Sequence, residues 1–316
     1  MRAFILRRLV MMVPVIIVTT LIAFSLILLL PGDPALMMLG EQNATDTEAY
    51  RALRAELGLD QPIPIQYLRW LGKAVHGDFG YSLRDKLPVG QELANHALPT
   101  LQLAVFALAL AVVVAIIAGS VSALRPNSMV DVMATLLAFS GVAVPNFFLG
   151  VLLIYGFSLG LRLLPPSGYV APWDDLGQNL RLMILPSLTL GAGLAAVLTR
   201  QIRSALLEVM QQEYIVAARA KGLRERAVVL RHAFKNALIP ISTIIGLQLG
   251  TLIGGAVITE TIFSIPGMGR MIVDSIFFRD FPTVQAAVFV LALLVLLANL
   301  LTDLVYAAVD PRIRYG

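Results

Sequence analysis

Glu213-Tyr214-Ile215-Val216-Ala217-Ala218-Arg219-Ala220-Lys221-Gly222, with Pro240 eighteen residues further on, lies between two uncharged runs, 182–199 and 236–259. Ala217, Ala218 and Ala220 are small helix formers that let another surface approach the backbone. Arg219 and Lys221 add charge, and Gly222 ends the helix because glycine readily takes the left-handed conformation of a C-terminal stop. Upstream, Ile202, Ala205, Leu206 and Val209 recur at helical spacing, flanked by Arg200, Arg203 and Glu208. Segment 200–235 therefore predicts a short helix carried out of an apolar body on two arms, a shape suited to docking in a cleft. Taken alone, it reads equally well as an ordinary basic loop between membrane helices.

The apolar body decides the class. Of 316 residues, 58% are hydrophobic and 14% charged, against about 25% charged in a soluble domain. A hydrocarbon core of about 30 Å takes about 20 helical residues. Six uncharged runs meet or approach that length: 9–32, 101–123, 132–161, 182–199, 236–259 and 281–302. Gly141 and Pro145 mark a break in the third, and Pro186 lies near the start of the short fourth. The expectation is an all-α, polytopic membrane protein with six transmembrane helices. The run from Leu9 to Gly32 exceeds the apolar core of a signal peptide, about 7–15 residues, and is read as a retained first helix. Absence of cysteine excludes a disulfide framework and a thiolate metal site. The net charge of +4 indicates no nucleic-acid partner, because the basic residues sit at span ends rather than on one soluble face.

Lysine and arginine set the orientation. With the N-terminus in the cytosol, segments 1–8, 124–131, 200–235 and 303–316 lie inside and hold 14 basic and 6 acidic residues, against 10 basic and 14 acidic outside. Both termini are therefore expected to be cytoplasmic. The domains follow: 1–32, N-terminus and first transmembrane helix; 33–100, an external segment; 101–309, a five-helix core containing the 200–235 loop; and 310–316, a cytoplasmic tail. Within 33–100, Thr47 to Leu57 reads as an amphipathic helix stopped by Gly58, and Pro62 and Pro64 break the chain. Ile65 to Val75 reads as a second helix, with Tyr67 and Trp70 suited to the interfacial belt. The pair is a cap over a pore mouth or a surface-lying helical pair.

Several chemistries are excluded. No G-x-x-x-x-G-K-[ST] loop occurs, and Gly72-Lys73-Ala74 lacks both its spacing and its hydroxyl. ATP and magnesium then belong to other chains, and no cofactor is expected here. His76, His96 and His232 lie outside the six runs, so neither a serine–histidine pair at depth nor a histidine–carboxylate metal set is available. No catalytic residue is assigned, and the chain is not expected to be an enzyme. An ion-coupled transporter would place ionisable groups at membrane depth. The six runs hold no acidic or basic residue, and Glu260 and Asp303, just beyond run ends, read as capping or surface-solvated groups. Gln102, Ser140, Asn146, Gln248, Gln285 and Asn299 are scattered polar side chains of the runs. Ser140, Asn146, Gln248 and Gln285 are the candidates for lining a substrate pathway, although helix–helix hydrogen bonding is the commoner role.

The 213–222 stretch resembles the cytoplasmic loop of ABC importer permeases, E-A-A-x-x-x-G-x(9)-I-x-L-P. Ala217 and Ala218 match its alanines and Gly222 its glycine, while its glutamate falls on Val216 and its proline on Lys235. Tyr214, Ala218-Arg219-Ala220-Lys221-Gly222, Arg231-His232-Ala233 and Asn236-Ala237-Leu238-Ile239-Pro240 resemble the branch that imports dipeptides, oligopeptides, glutathione and nickel, where Glu213 is the counterpart of the glutamate. Leu30-Pro31-Gly32-Asp33-Pro34, Leu57-Gly58-Leu59-Asp60-Gln61-Pro62 with Gln66-Tyr67, and Gly77-Asp78-Phe79-Gly80-Tyr81-Ser82 are similar to the B-type permease of the pair. So are Leu185-Pro186-Ser187-Leu188-Thr189-Leu190-Gly191, Glu260 with Phe263, Pro266-Gly267-Met268-Gly269 and Asp310-Pro311-Arg312-Ile313-Arg314-Tyr315.

The resemblance implies the type I permease fold in a bacterial inner membrane, paired with a C-type permease. It further implies two ATPase subunits beneath and an extracytoplasmic substrate-binding protein above. Glu213, Tyr214, Ala217, Ala218, Arg219, Ala220, Lys221 and Gly222 would couple the ATPase to the spans. The substrate would be a dipeptide or oligopeptide, with glutathione, nickel or another metal chelate as the alternative.

Overall fold

The computed structural model describes residues 2–29, 35–36 and 47–309, and it has no strand among them beyond one Tyr81–Pro88 bridge. The Leu30–Pro34 and Asp310–Tyr315 motifs lie outside the described residues. Among the described residues, each of the six uncharged runs is largely helical. In order they are α1 (Arg2–Leu29), α2 (Thr47–Leu57), α3 (Ile63–Val75), α4 (Val89–Leu124), α5 (Met129–Ala143) and α6 (Asn146–Leu153). There follow α7 (Leu176–Met210), α8 (Glu213–Ala220), α9 (Glu225–Ala227), α10 (Phe234–Ile262), α11 (Met268–Phe277) and α12 (Phe281–Val309). The helices α4 and α7, and Phe281–Thr302 of α12, are each long and apolar enough to cross a membrane. The protein is all-α and polytopic.

The chain packs as two units, one built from Pro99–Pro266 and the segment from Val295, the other from Arg2–Leu98 and Gly267–Leu294. The division between the units at Leu98 and Pro99 falls inside α4. In the Arg2–Leu98 unit, α2 spans the expected residues and stops at Gly58, whose φ is +69°. The Gln66 side-chain amide donates to the Gln61 carbonyl at 2.8 Å and holds the turn into α3. The prolines do not break the chain up to Ile65: α3 starts at Ile63, because Pro64 occupies the first turn, where a missing N–H costs no helical bond.

Tyr67 and Trp70 pack against Phe24 of α1 at 5.6 and 6.0 Å between ring centroids, and Trp70 meets Phe289 of α12 at 5.7 Å. The Tyr67 hydroxyl pairs with Thr20 Oγ1 at 2.8 Å, so its polar end is satisfied inside the protein. Ser82 of the Gly77–Ser82 motif donates to buried Asp280, which also accepts from the Leu83 amide and Thr283.

In the Pro99–Pro266 unit, the third run is broken as Gly141 and Pro145 suggested. The α5 helix ends at Ala143 and α6 begins at Asn146, with 113° between them. The α6 helix continues as a wide π-helical turn, Ile154–Gly160. The short fourth run lies inside a longer helix: α7 passes through Pro186 for 35 residues, about 52 Å at 1.5 Å per residue. A Cβ on Gly191 would lie 2.7 Å from the Ala107 carbonyl oxygen, and one on Gly119 2.7 Å from that of Thr199. Small residues thus let α4 and α7 meet backbone to backbone.

Glu260 is neither surface-solvated nor a bare cap. It is fully buried at the end of α10, where Oε1 accepts from Thr100 Oγ1 at 2.6 Å. Thr100 of α4 supplies this partner inside the protein.

Candidate coupling site and polar pathway residues

The α8 helix forms where the sequence placed it. Gly222 follows it at φ +77°, its amide donates to Arg219 O at 2.9 Å, and the Leu223 amide reaches Ala218 O at 3.4 Å. That pair of bonds is a Schellman ending, which needs a left-handed residue at Gly222. Ile215 and Ala218 are buried, and α8 packs against the Val228–Ala233 turn, where Val228, Val229 and Ala233 are buried too. The small Ala218 therefore seats α8 on its own chain. The outward face carries Glu213, Val216, Ala217, Ala220 and Lys221, all exposed. Val216, given no role from sequence, is the large apolar group on that face, 58% exposed.

Two side chains of α8 turn back to the protein. The Tyr214 hydroxyl accepts from the Asn236 side-chain amide at 2.9 Å, which also donates to His232 O at 3.0 Å. Arg219 forms a two-pronged bond to Glu225, 2.7 Å through Nη2 and 3.1 Å through Nε, bridging the Gly222 turn. The hydrogen bonds from Arg219 hold the Glu225 carboxyl below the usual glutamate value, and the same bonds raise Arg219. Arg219 is thus committed to a strap within the chain.

Below α8 lies a junction that the sequence reading missed. Asp131, at the start of α5, is 4% exposed. Its carboxylate accepts Arg203 Nε and Nη2 from α7, both at 2.7 Å, the Asn127 amide at 2.9 Å and the Ser122 hydroxyl from α4. One carboxylate thereby ties three helix ends. The Ser128-x-x-Asp131 spacing before an apolar run is a helix-start pattern, and the Ser128 hydroxyl does accept the Asp131 amide at 3.3 Å. An open groove of about 770 Å³ runs beside α8, with Leu124, Met210, Arg219, Glu225 and Leu230 among its walls.

The four pathway candidates are dispersed. Ser140 on α5 donates to Leu136 O at 2.9 Å and lines an apolar cavity of about 360 Å³ together with Ser187 and Gly191 of α7. Asn146 opens α6 and is exposed, and Gln248 on α10 is half-buried. Gln285 belongs to the other unit, where its side-chain nitrogen is buried with no partner among the described residues. Gln102 instead serves helix packing: it donates to Asn179 at 2.5 Å and accepts from the Tyr169 hydroxyl at 3.0 Å. The described residues hold no cluster of His, Asp or Glu fit for a metal.

This arrangement, an all-α body with long apolar helices and a short, internally strapped helix, has known relatives. Residues 111–315 match the family described as binding-protein-dependent transport system inner membrane component, and residues 1–104 match the N-terminal family of such components. The chain belongs to this family of multi-pass inner-membrane transport proteins. Among curated relatives, the glutathione transport system permease protein GsiC of Escherichia coli K12 is 40% identical over 99% of both chains. The GsiC of Pectobacterium atrosepticum is 42% identical over 98% of both. The dipeptide transport system permease protein DppB of Escherichia coli K12 is 40% identical over 100% of this chain and 99% of its own. An inward-facing MetNI methionine ABC transporter chain shares the fold with a TM-score of 0.57 at 18% identity, over 70% of this chain and 97% of its own. A chain of an amino acid ABC transporter with histidines gives 0.52 at 15%, over 69% and 94%.

Proposed function

We propose that this chain is one of two permeases forming the translocation path of an ATP-driven importer for peptide-class solutes, a dipeptide, a longer peptide or glutathione. The observation that carries the reading is the end-to-end likeness at 40% identity to permeases named for both glutathione and dipeptides. The exposed face of α8, strapped at Arg219–Glu225, supports a mechanical role. It seats in a groove of an ATPase subunit, and the Asp131 junction passes the movement of that subunit to α4, α5 and α7 together. The second permease completes the path, and an extracytoplasmic binding protein presents the solute. In this reading six spans put both termini on one side, and the excess of lysine and arginine in 1–8, 124–131, 200–235 and 303–316 supports the cytosolic side. ATP and magnesium are held by the ATPase subunits, and this chain performs no chemistry of its own.

The test is Val216→Glu in the reconstituted complex. A charge on the exposed contact face is expected to lower both solute-stimulated ATP hydrolysis and uptake at least about 10-fold, the price of burying an unpaired carboxylate at an interface. Ala218→Glu is the contrast: it disrupts the seat of α8 and reduces assembly itself. Retention of full coupled activity by a well-assembled Val216→Glu complex would overturn the docking role.

A further inference from the structure

A second cavity, of about 650 Å³, lies at the far end of the Ile154–Gly160 turn, lined by Ser158, Arg162, Asp175, Gly177 and Arg181 with the Leu163–Pro165 loop. Two independent features converge on it. The first turn of the 35-residue α7 faces it through Gly177 and Gln178, and the opening turn of a helix presents amides and a partial positive charge. Two guanidinium groups line it: Arg181 donates to Leu163 O at 3.2 Å, and Arg162 makes no hydrogen bond or ion pair among the described residues. Ser158 also lines the cavity, although its hydroxyl is itself buried, with no partner among the described residues. Asp175 also lines the cavity, but its Oδ1 already accepts the Gln178 amide at 2.9 Å, so the two arginines leave the lining net positive.

We propose that this cavity binds a phosphate group, and that in the membrane the group is the headgroup phosphate of an anionic phospholipid. The surroundings select the lipid over a soluble anion. Leu159, Leu161, Leu176 and Leu180 are exposed around the two arginines, and Tyr155 and Trp173 are 65% and 73% exposed. Exposed leucines match acyl chains, and exposed aromatic rings beside arginines match the headgroup layer. The phosphate receives the two guanidinium groups and the Gly177 amide, the Gln178 amide being held by Asp175.

The experiment measures the preference for spin-labelled phosphatidylglycerol over phosphatidylcholine in the assembled transporter reconstituted in phosphatidylcholine. Arg162→Gln with Arg181→Gln is expected to lower that preference by about 10-fold or more, given the typical worth of basic residues at a lipid surface. Arg162→Gln alone removes no bond within the chain and should lower it several-fold. A wild-type protein that holds both lipids equally, or an Arg162→Gln variant with undiminished preference, would overturn the site. Displacement of the labelled lipid by millimolar inorganic phosphate, or by a dipeptide, at matched ionic strength would assign the cavity to a soluble anion and overturn the lipid assignment. Persistence of the lipid under both supports it.

Discussion

Asp131 concentrates more structure than any other single side chain described. Four donors from α4, the following loop and α7 converge on one carboxylate. Losing one partner of a buried ion pair strands the other, at about 3–5 kcal/mol. Asp131→Ala should therefore lower the thermal unfolding midpoint of the purified complex sharply. Arg203→Lys keeps the charge but loses the two-pronged geometry, so it should fall between the variant and the native protein. Equal midpoints for Asp131→Ala and the native complex would show that the junction contributes nothing. Half of this device was legible: Ser128-x-x-Asp131 signals a helix start from local spacing. The partner Arg203 was not, since its distance of 72 residues along the chain leaves no periodic trace. The same limit hid the burial of Glu260, whose partner Thr100 comes from another helix.

At the scale of elements, α8 shows what local chemistry can and cannot announce. Its extent and its stop at Gly222 were readable, because only the glycine backbone rule is involved. Its facing was not, because Ile215 and Ala218 are buried by the Val228–Ala233 turn, whose wide π winding has no simple sequence signature. Space around Gly222 is open, since a Cβ there would meet nothing within 4 Å. The cost of Gly222→Ala is then purely conformational, about 1–2 kcal/mol, and hydrogen exchange of the 217–223 amides should quicken without change elsewhere. The Arg219–Glu225 strap adds a pH signature. Glu225 is held below its ordinary value of 4.5 by Arg219. Its contribution is thus complete above that value and vanishes as the pH falls through the lowered one. Exchange around the turn should rise in acid, and by a small factor, because both groups are exposed and screened. Pro64 carries the complementary lesson: proline breaks a helix only in its interior, and the start of α3 could not be placed from composition.

At the scale of the whole molecule, the six uncharged runs were legible because hydrocarbon length and charge exclusion act on sequence directly. The ring contacts of Tyr67 and Trp70 with Phe24 and Phe289 were not, because those partners lie far along the chain and leave no local pattern. The close approach of α4 and α7 offers a direct measurement. Gly191→Ala puts a methyl 2.7 Å from the Ala107 carbonyl oxygen, whereas Gly254→Ala meets nothing within 4 Å. The first should cost about 1–3 kcal/mol of stability, and the second should be neutral or slightly stabilising, as alanine in a helix usually is. Comparable melting curves for the two variants would contradict the contact.

The unbroken length of α7 has a mechanical corollary. Gly191, one of its close touch points on α4, stands near the middle of 176–210, so the rod has arms of about 25 Å on either side of that contact. A tilt of about 10° about that point would sweep the two tips through about 4–5 Å in opposite senses. A see-saw of this kind widens one mouth of a channel in the same stroke that narrows the other.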